Sequence, residues 1–65
     1  MMNPKMIEHI MLDQKVNQRE LAAASGFSER SITRYLNCDS IPDRTGLALI
    51  RALKELKERR KHDEN

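Results

Sequence analysis

The sequence predicts an all-α fold, and three observations support this. Only two glycines and two prolines occur among the 65 residues, so few positions interrupt a helix. No stretch of four to eight residues alternates apolar and polar side chains as a half-buried strand would. Apolar side chains instead recur three and four positions apart. Because so short a chain supports only one core, we expect a single compact domain of four helices, or of five, over residues 1–65.

The first helix is predicted to start after Asn3 and to end near Lys15. Asn3 is a favourable N-cap residue, and Pro4 suits the first helical turn. Apolar side chains then recur at helical spacing and give the helix one face for the core. They are Met6, Ile7, Ile10 and Met11.

A second, shorter helix is predicted between Asn17 and Gly26. Asn17 and Glu20 have the spacing of a capping box, in which each side chain accepts a hydrogen bond from the backbone of the other. Leucine and alanine at residues 21–24 favour helix formation. Gly26 can adopt the positive φ that commonly ends a helix.

The third helix is predicted to follow Ser28 and to end near Asn37. Ser28 is an N-cap residue, and the acidic Glu29 in the first turn complements the helix dipole. The apolar stripe at helical spacing consists of Ile32, Tyr35 and Leu36.

Residues 37–42 are rich in turn formers and are predicted to form a loop. Asp43 can cap a fourth helix that starts near Arg44 and runs towards Arg60, before a charged tail at about residues 57–65. Its apolar side chains surround too much of the helix for one buried stripe. We therefore expect one part to face the core and another to face a second copy of the chain. These side chains are Leu47, Leu49, Ile50, Leu53 and Leu56.

The charge balance and the cysteine content restrict the protein class. Lysine and arginine exceed aspartate and glutamate by +2, which only weakly favours a polyanionic partner. Cys38 is the single cysteine, so no intramolecular disulfide can form and a reducing, cytoplasmic setting is favoured. No apolar run approaches the roughly 20 residues that span a bilayer, so no membrane association is expected.

Catalysis is not expected, because a thin core leaves little room for a substrate pocket. No nucleophile elbow or phosphate-binding glycine loop occurs, so no catalytic residues and no cofactor are predicted. His9 and His62 have no further ligands at metal-binding spacing, so no metal site is predicted either.

Helices 2 and 3, joined by a short turn at Gly26, predict a helix-turn-helix motif over residues 18–37. Ala22 is small enough to let the two helices approach closely, and Phe27 can fill the core after the turn.

The polar residues of helix 3 fall within a sector of about 140°, opposite its apolar stripe. This sector carries two guanidinium groups, a carboxylate, a hydroxyl and an amide, which are the groups that read base edges. The alternative is an ordinary solvated helix face. The residues are Glu29, Arg30, Thr33, Arg34 and Asn37.

Residues 17–37 resemble the helix-turn-helix of the XRE and phage repressor/Cro family. The resemblance lies in the pattern Gln18-x-x-Leu21-Ala22, in the Gly-Phe-Ser turn at residues 26–28, and in Ile32 at the centre of helix 3. A looser similarity extends over residues 7–53. The resemblance to this family implies a transcriptional regulator that binds double-stranded DNA by placing helix 3 in the major groove.

The resemblance also implies roles for individual residues. Four side chains of helix 3 would face the bases, namely Glu29, Arg30, Thr33 and Arg34. Asn17 would contact phosphate, and Gln18 would contact phosphate or a flanking base. Further candidates for phosphate contact or positioning, which lie in or beside the motif, are Arg19, Ser28, Asn37 and Arg44. Further candidates for phosphate contact are Lys15, Lys57, Arg59, Arg60 and Lys61, although the basic residues near the C-terminus could equally be a solvated helix end.

Two departures from the family pattern are evident. Cys38 stands where the family often has a glycine after helix 3. Met11 and Leu36 replace an arginine and a glutamate that often form an ion pair. Because both partners are apolar together, we expect Met11 and Leu36 to touch in the core.

These inferences favour a small repressor that acts as a homodimer on a pseudo-palindromic operator. Its size is similar to that of stand-alone regulators of phage and mobile-element operons that regulate their own expression, such as anti-CRISPR-associated regulators. Two alternatives stay open. One is an antitoxin of the same fold with a toxin as its protein partner, and the other is a helical module that binds only protein.

Overall fold

All four predicted helices are present. The computed structural model describes the backbone of residues 2–63 and the side chains of residues 2–60. The helices are α1 (Pro4–Gln14), α2 (Gln18–Ser25), α3 (Glu29–Leu36) and α4 (Asp43–Asp63). Between residues 2 and 63 there is neither a fifth helix nor a strand longer than an isolated bridge. The prediction of a small all-α domain is therefore confirmed.

Both ends of α2 are formed by the residues that the sequence indicates. Asn17 Oδ1 accepts the backbone N–H of Glu20 at 2.8 Å, and Glu20 Oε1 accepts the N–H of Asn17 at 3.3 Å. Gly26 has a φ of 83° and its N–H donates to the carbonyl of Ala22. The capping box and the left-handed glycine thus set the length of α2.

The neighbouring helices are also capped locally. Asn3 Oδ1 accepts the N–H of Lys5 at 2.9 Å, and Ser28 Oγ accepts the N–H of Ser31 at 3.1 Å. Helix α1 ends where Lys15 adopts a φ of 57°, an uncommon conformation for a residue with a Cβ. The chain thereby leaves the helical path before α2 begins.

The core receives apolar side chains from every helix and from two connections. Val16, in the connection between α1 and α2, and Ile41, in the predicted loop before α4, are both buried. Met11 is buried and Leu36 packs against the same core, while their direct contact stays a prediction. The buried apolar residues are Ile7, Met11, Val16, Leu21, Ala22, Ile32, Ile41, Leu49, Ala52 and Leu53.

Helix α4 is longer than the sequence analysis predicts. It begins at Asp43 itself and continues to Asp63, so residues 57–63 of the predicted tail are helical. Leu49 and Leu53 face the core, whereas the side chain of Leu47 is 51% exposed. The wide apolar spread therefore does include a part that faces away from the core.

A short N-terminal segment lies against the start of α4. Met2 and Ile41 exchange two backbone hydrogen bonds of 2.8 Å, forming an antiparallel bridge. Gly46 is buried beneath this segment, and a Cβ there would overlap the Sδ atom of Met2. A side chain at residue 46 would therefore require the Met2 side chain to move.

Helix α3 is held from one side. It packs on α1 and α2, and these two helices in turn pack on α4. This arrangement leaves the other side of α3 at the surface of the molecule.

None of the helices within residues 2–63 is long and apolar enough to cross a membrane.

Candidate nucleic-acid interface

The outer face of α3 displays the residues predicted to read bases. Glu29, Arg30, Thr33 and Arg34 are all exposed, while Ile32 on the opposite face is completely buried. The strict division follows from the amphipathic spacing of α3, which has one apolar stripe for the core.

Two aromatic side chains pack together between α3 and the core. The rings of Phe27 and Tyr35 meet edge to face, with their centroids 5.7 Å apart. Both side chains are half-buried and pack against the core. Phe27 therefore fills the position after the turn that the sequence analysis assigned to it.

The charged groups of this face have no partner among the side chains and backbone that the structure describes. Within residues 2–60, the side chains of Glu29, Arg30 and Arg34 form no hydrogen bond or ion pair. One carboxylate and two guanidinium groups are thus available to an external partner. Guanidinium groups can donate two parallel hydrogen bonds, which suits planar acceptors.

A side-chain hydrogen bond connects the start of α2 with the middle of α3. Thr33 Oγ1 donates to Gln18 Oε1 at 2.6 Å, and the same hydroxyl lies 3.0 Å from the carbonyl oxygen of Glu29. The carbonyl end of the Gln18 side chain is therefore engaged. Its amide Nε2 is the donor that remains for a partner at this edge of α3.

The C-terminal end of α3 is closed without a glycine. Asn37 has a φ of −98°, and its side-chain amide donates to the carbonyl of Thr33 at 2.9 Å. Cys38 Sγ donates to the carbonyl of Arg34 at 3.0 Å. Because neither Asn37 nor Cys38 has a positive φ, this turn does not require a glycine.

The predicted positioning residues fall into two groups. Asn17 and Ser28 use their side-chain oxygens to cap α2 and α3, so their structural role is evident. Arg19, Arg44 and Lys15 are exposed, each near a helix end. Contacts of either group with DNA stay a prediction.

Arg60 has a role that the sequence analysis missed. Its guanidinium group donates to the carbonyl oxygens of Gln14 and Lys15, at the end of α1, and to Glu20 Oε2 at 2.8 Å. These bonds supply partners for the last carbonyls of α1, whose final turn has no basic residue. Arg60 thus has a structural role within the protein, and its predicted phosphate contact stays a prediction.

The neighbours of Glu20 favour its ionised form. The backbone N–H of Asn17 has the largest effect in lowering the pKa of Glu20, and the hydrogen bond from Arg60 lowers it further. Partial desolvation opposes this change but does not reverse it. No local pattern indicates the pair, because its members are 40 positions apart.

The described part of the chain offers no metal centre. No group of three potential metal ligands occurs there, and both His9 and Cys38 are exposed. The side chains of Lys61 and His62 lie outside the described residues.

Comparisons with protein-family models, curated proteins and solved structures found no match to this chain.

Proposed function

We propose that this protein is a sequence-specific DNA-binding regulator of transcription that acts as a repressor in the cytoplasm. The observation that carries the proposal is the outer face of α3, where Glu29, Arg30 and Arg34 are exposed and have no partner within residues 2–60. An α-helix fits the major groove of B-DNA, and these groups suit its base edges. The resemblance of residues 17–37 to the XRE and phage repressor/Cro family supports the same function.

Each exposed group has a plausible partner in the groove. Arg30 and Arg34 can each donate two hydrogen bonds to O6 and N7 of a guanine, and Glu29 can accept one from the amino group of a cytosine. Gln18, through its Nε2 group, would donate to a phosphate beside the groove. Thus α3 would supply specificity and the start of α2 would supply register.

Phosphate binding would come from the exposed basic residues around the motif. Lys15, Arg19 and Arg44 are exposed near helix ends, where a cation can reach the DNA backbone. Arg60 differs from these residues because its guanidinium group is already bound to Glu20 and to α1. Because these phosphate contacts are few, the affinity for DNA should fall only gradually as the salt concentration rises.

We also propose that two copies bind together. Leu47 is 51% exposed on α4, and this outward apolar side chain would lie in the contact between the copies. A two-fold dimer places two recognition helices about 34 Å apart, one turn of DNA. Such a dimer requires a pseudo-palindromic operator. A dimer bound in this way would repress transcription by covering a promoter.

The decisive experiment is selection of bound sites from a pool of random duplex DNA with the purified protein. We expect an enriched, pseudo-palindromic sequence with half-sites one helical turn apart. A protein carrying both Arg30→Ala and Arg34→Ala serves as the control and should enrich no sequence. Failure of the unmodified protein to enrich any sequence at low salt would contradict the proposal and favour a protein-only module.

A further inference from the structure

Thr33 differs from its charged neighbours on α3 because its hydroxyl group already has protein partners. Thr33 Oγ1 lies 2.6 Å from Gln18 Oε1 and 3.0 Å from the carbonyl oxygen of Glu29. Both partners are oxygens, and a hydroxyl group carries a single hydrogen. Whichever oxygen takes that hydrogen, it belongs to the protein.

The side chain of Thr33 nevertheless remains exposed on the outer face of α3, beside Glu29, Arg30 and Arg34. Its hydroxyl occupies the branch of Cβ that approaches Gln18 and the preceding helical turn. The methyl group therefore occupies a different branch. An exposed threonine whose donor is engaged offers a ligand its methyl group and the remaining acceptor capacity of its hydroxyl oxygen.

We infer that Thr33 is a specificity-determining residue that recognises the C5 methyl group of a thymine. The inference rests on the proposed function, since it requires α3 to lie in the major groove. Among the four bases only thymine carries a methyl group there, and the methyl group of threonine is a suitable apolar contact for it. The half-site should therefore contain a thymine near the guanines read by Arg30 and Arg34.

The opposite arrangement makes a different prediction. If the hydroxyl of Thr33 left Gln18 and donated to a base, a serine would serve as well as a threonine. A valine would then fail, because it has no hydroxyl. The pair of variants Thr33→Ser and Thr33→Val therefore separates recognition by the methyl group from recognition by the hydroxyl group.

The test uses the operator obtained by selection and replaces each thymine in turn by deoxyuridine, which lacks only the methyl group. For the unmodified protein, one thymine in each half-site should show about fourfold weaker binding after replacement, the effect of one buried methyl group. Thr33→Val should bind all duplexes more weakly, because Gln18 loses its partner, but should keep the same ratio. Thr33→Ser should keep the Gln18 contact and lose the ratio.

Three results would overturn the inference while leaving DNA binding intact: no thymine is sensitive to replacement, the ratio persists in Thr33→Ser, or the ratio disappears in Thr33→Val. Absence of any selected operator would overturn it together with the proposed function. The thermal unfolding midpoints of both variants, measured alongside, verify that the compared proteins are folded.

Discussion

Arg60 and Glu20 form an ion pair of 2.8 Å that joins the C-terminal part of α4 to the first turn of α2. The same guanidinium group donates to the last carbonyls of α1. Three helices therefore meet at one side chain. Since α2 begins at Gln18, which bonds to Thr33 of α3, these contacts also help to position the outer face of α3.

Replacing Arg60 should destabilise the protein more than replacing its neighbour Arg59. Arg60→Gln removes charged hydrogen bonds to α1 and should lower the free energy of unfolding by about 1 kcal/mol. Within residues 2–60, Arg59 pairs with Glu55 on the exposed side of α4, so Arg59→Gln should cost at most about 0.5 kcal/mol. Urea unfolding followed by circular dichroism measures both. Equal losses would contradict the structural role of Arg60.

Glu20 should make the stability of the protein sensitive to acid. The backbone of Asn17 and then Arg60 lower its pKa in the folded state, so folding favours the carboxylate. This stabilisation is present above the ordinary pKa of a glutamate and disappears as pH falls through the lowered pKa.

The matched variant for this pH dependence is Glu20→Gln, because glutamine can still cap α2. Urea unfolding across the acidic range should show a larger loss of stability for the unmodified protein than for the variant. Parallel curves for the two proteins would show that Glu20 does not contribute to the pH dependence.

The sequence predicts the elements whose signals are local. Asn17 and Gly26 determine the ends of α2 through contacts within four residues, so their pattern is readable without a fold. The burial of Ile41 and the pairing of Arg60 with Glu20 depend on which segments meet in space. No periodicity carries that information. The exposed side of α3 is predictable because it follows from the local spacing of apolar residues. The hydrogen bond between Thr33 and Gln18 is not, because it joins two helices.

Gly46→Ala should produce a local effect that a second substitution reverses. Alanine favours helix over glycine by about 1 kcal/mol, but its Cβ would overlap Sδ of Met2. The Met2–Ile41 bridge should therefore loosen, and the amide of Ile41 should exchange faster with solvent. In a Met2→Ala background the overlap is relieved, so Gly46→Ala should raise the stability. A destabilising effect in both backgrounds would show that another contact excludes the side chain.

Leu47→Glu should separate the proposed dimer without unfolding it. Leu47 is 51% exposed within one copy, so the substitution should change the stability of the isolated domain by at most about 0.5 kcal/mol. A buried charge in the contact between copies would strongly oppose association. Sedimentation should show a dimer for the unmodified protein and a monomer for the variant. Leu12→Glu, at a position 79% exposed on α1, is the control and should stay dimeric.

Substitutions of Arg34 and Arg19 should separate base recognition from phosphate binding. Arg34→Ala removes a guanidinium group that would read a base. It should reduce the binding free energy for the selected operator by about 1 to 3 kcal/mol and relax the preference at one base pair. Arg19→Gln removes a phosphate contact, so it should weaken binding to all sequences alike.

The dependence of affinity on salt distinguishes the two effects. Loss of one phosphate contact should reduce the slope of log K against log salt concentration by about one for Arg19→Gln. Arg34→Ala should change the slope less than Arg19→Gln does, because its contacts are to base edges. Binding isotherms on operator and random DNA between low and physiological salt give both quantities. A reversed pattern would place Arg34 on the phosphates and Arg19 at the bases, and α3 would then not enter the groove as proposed.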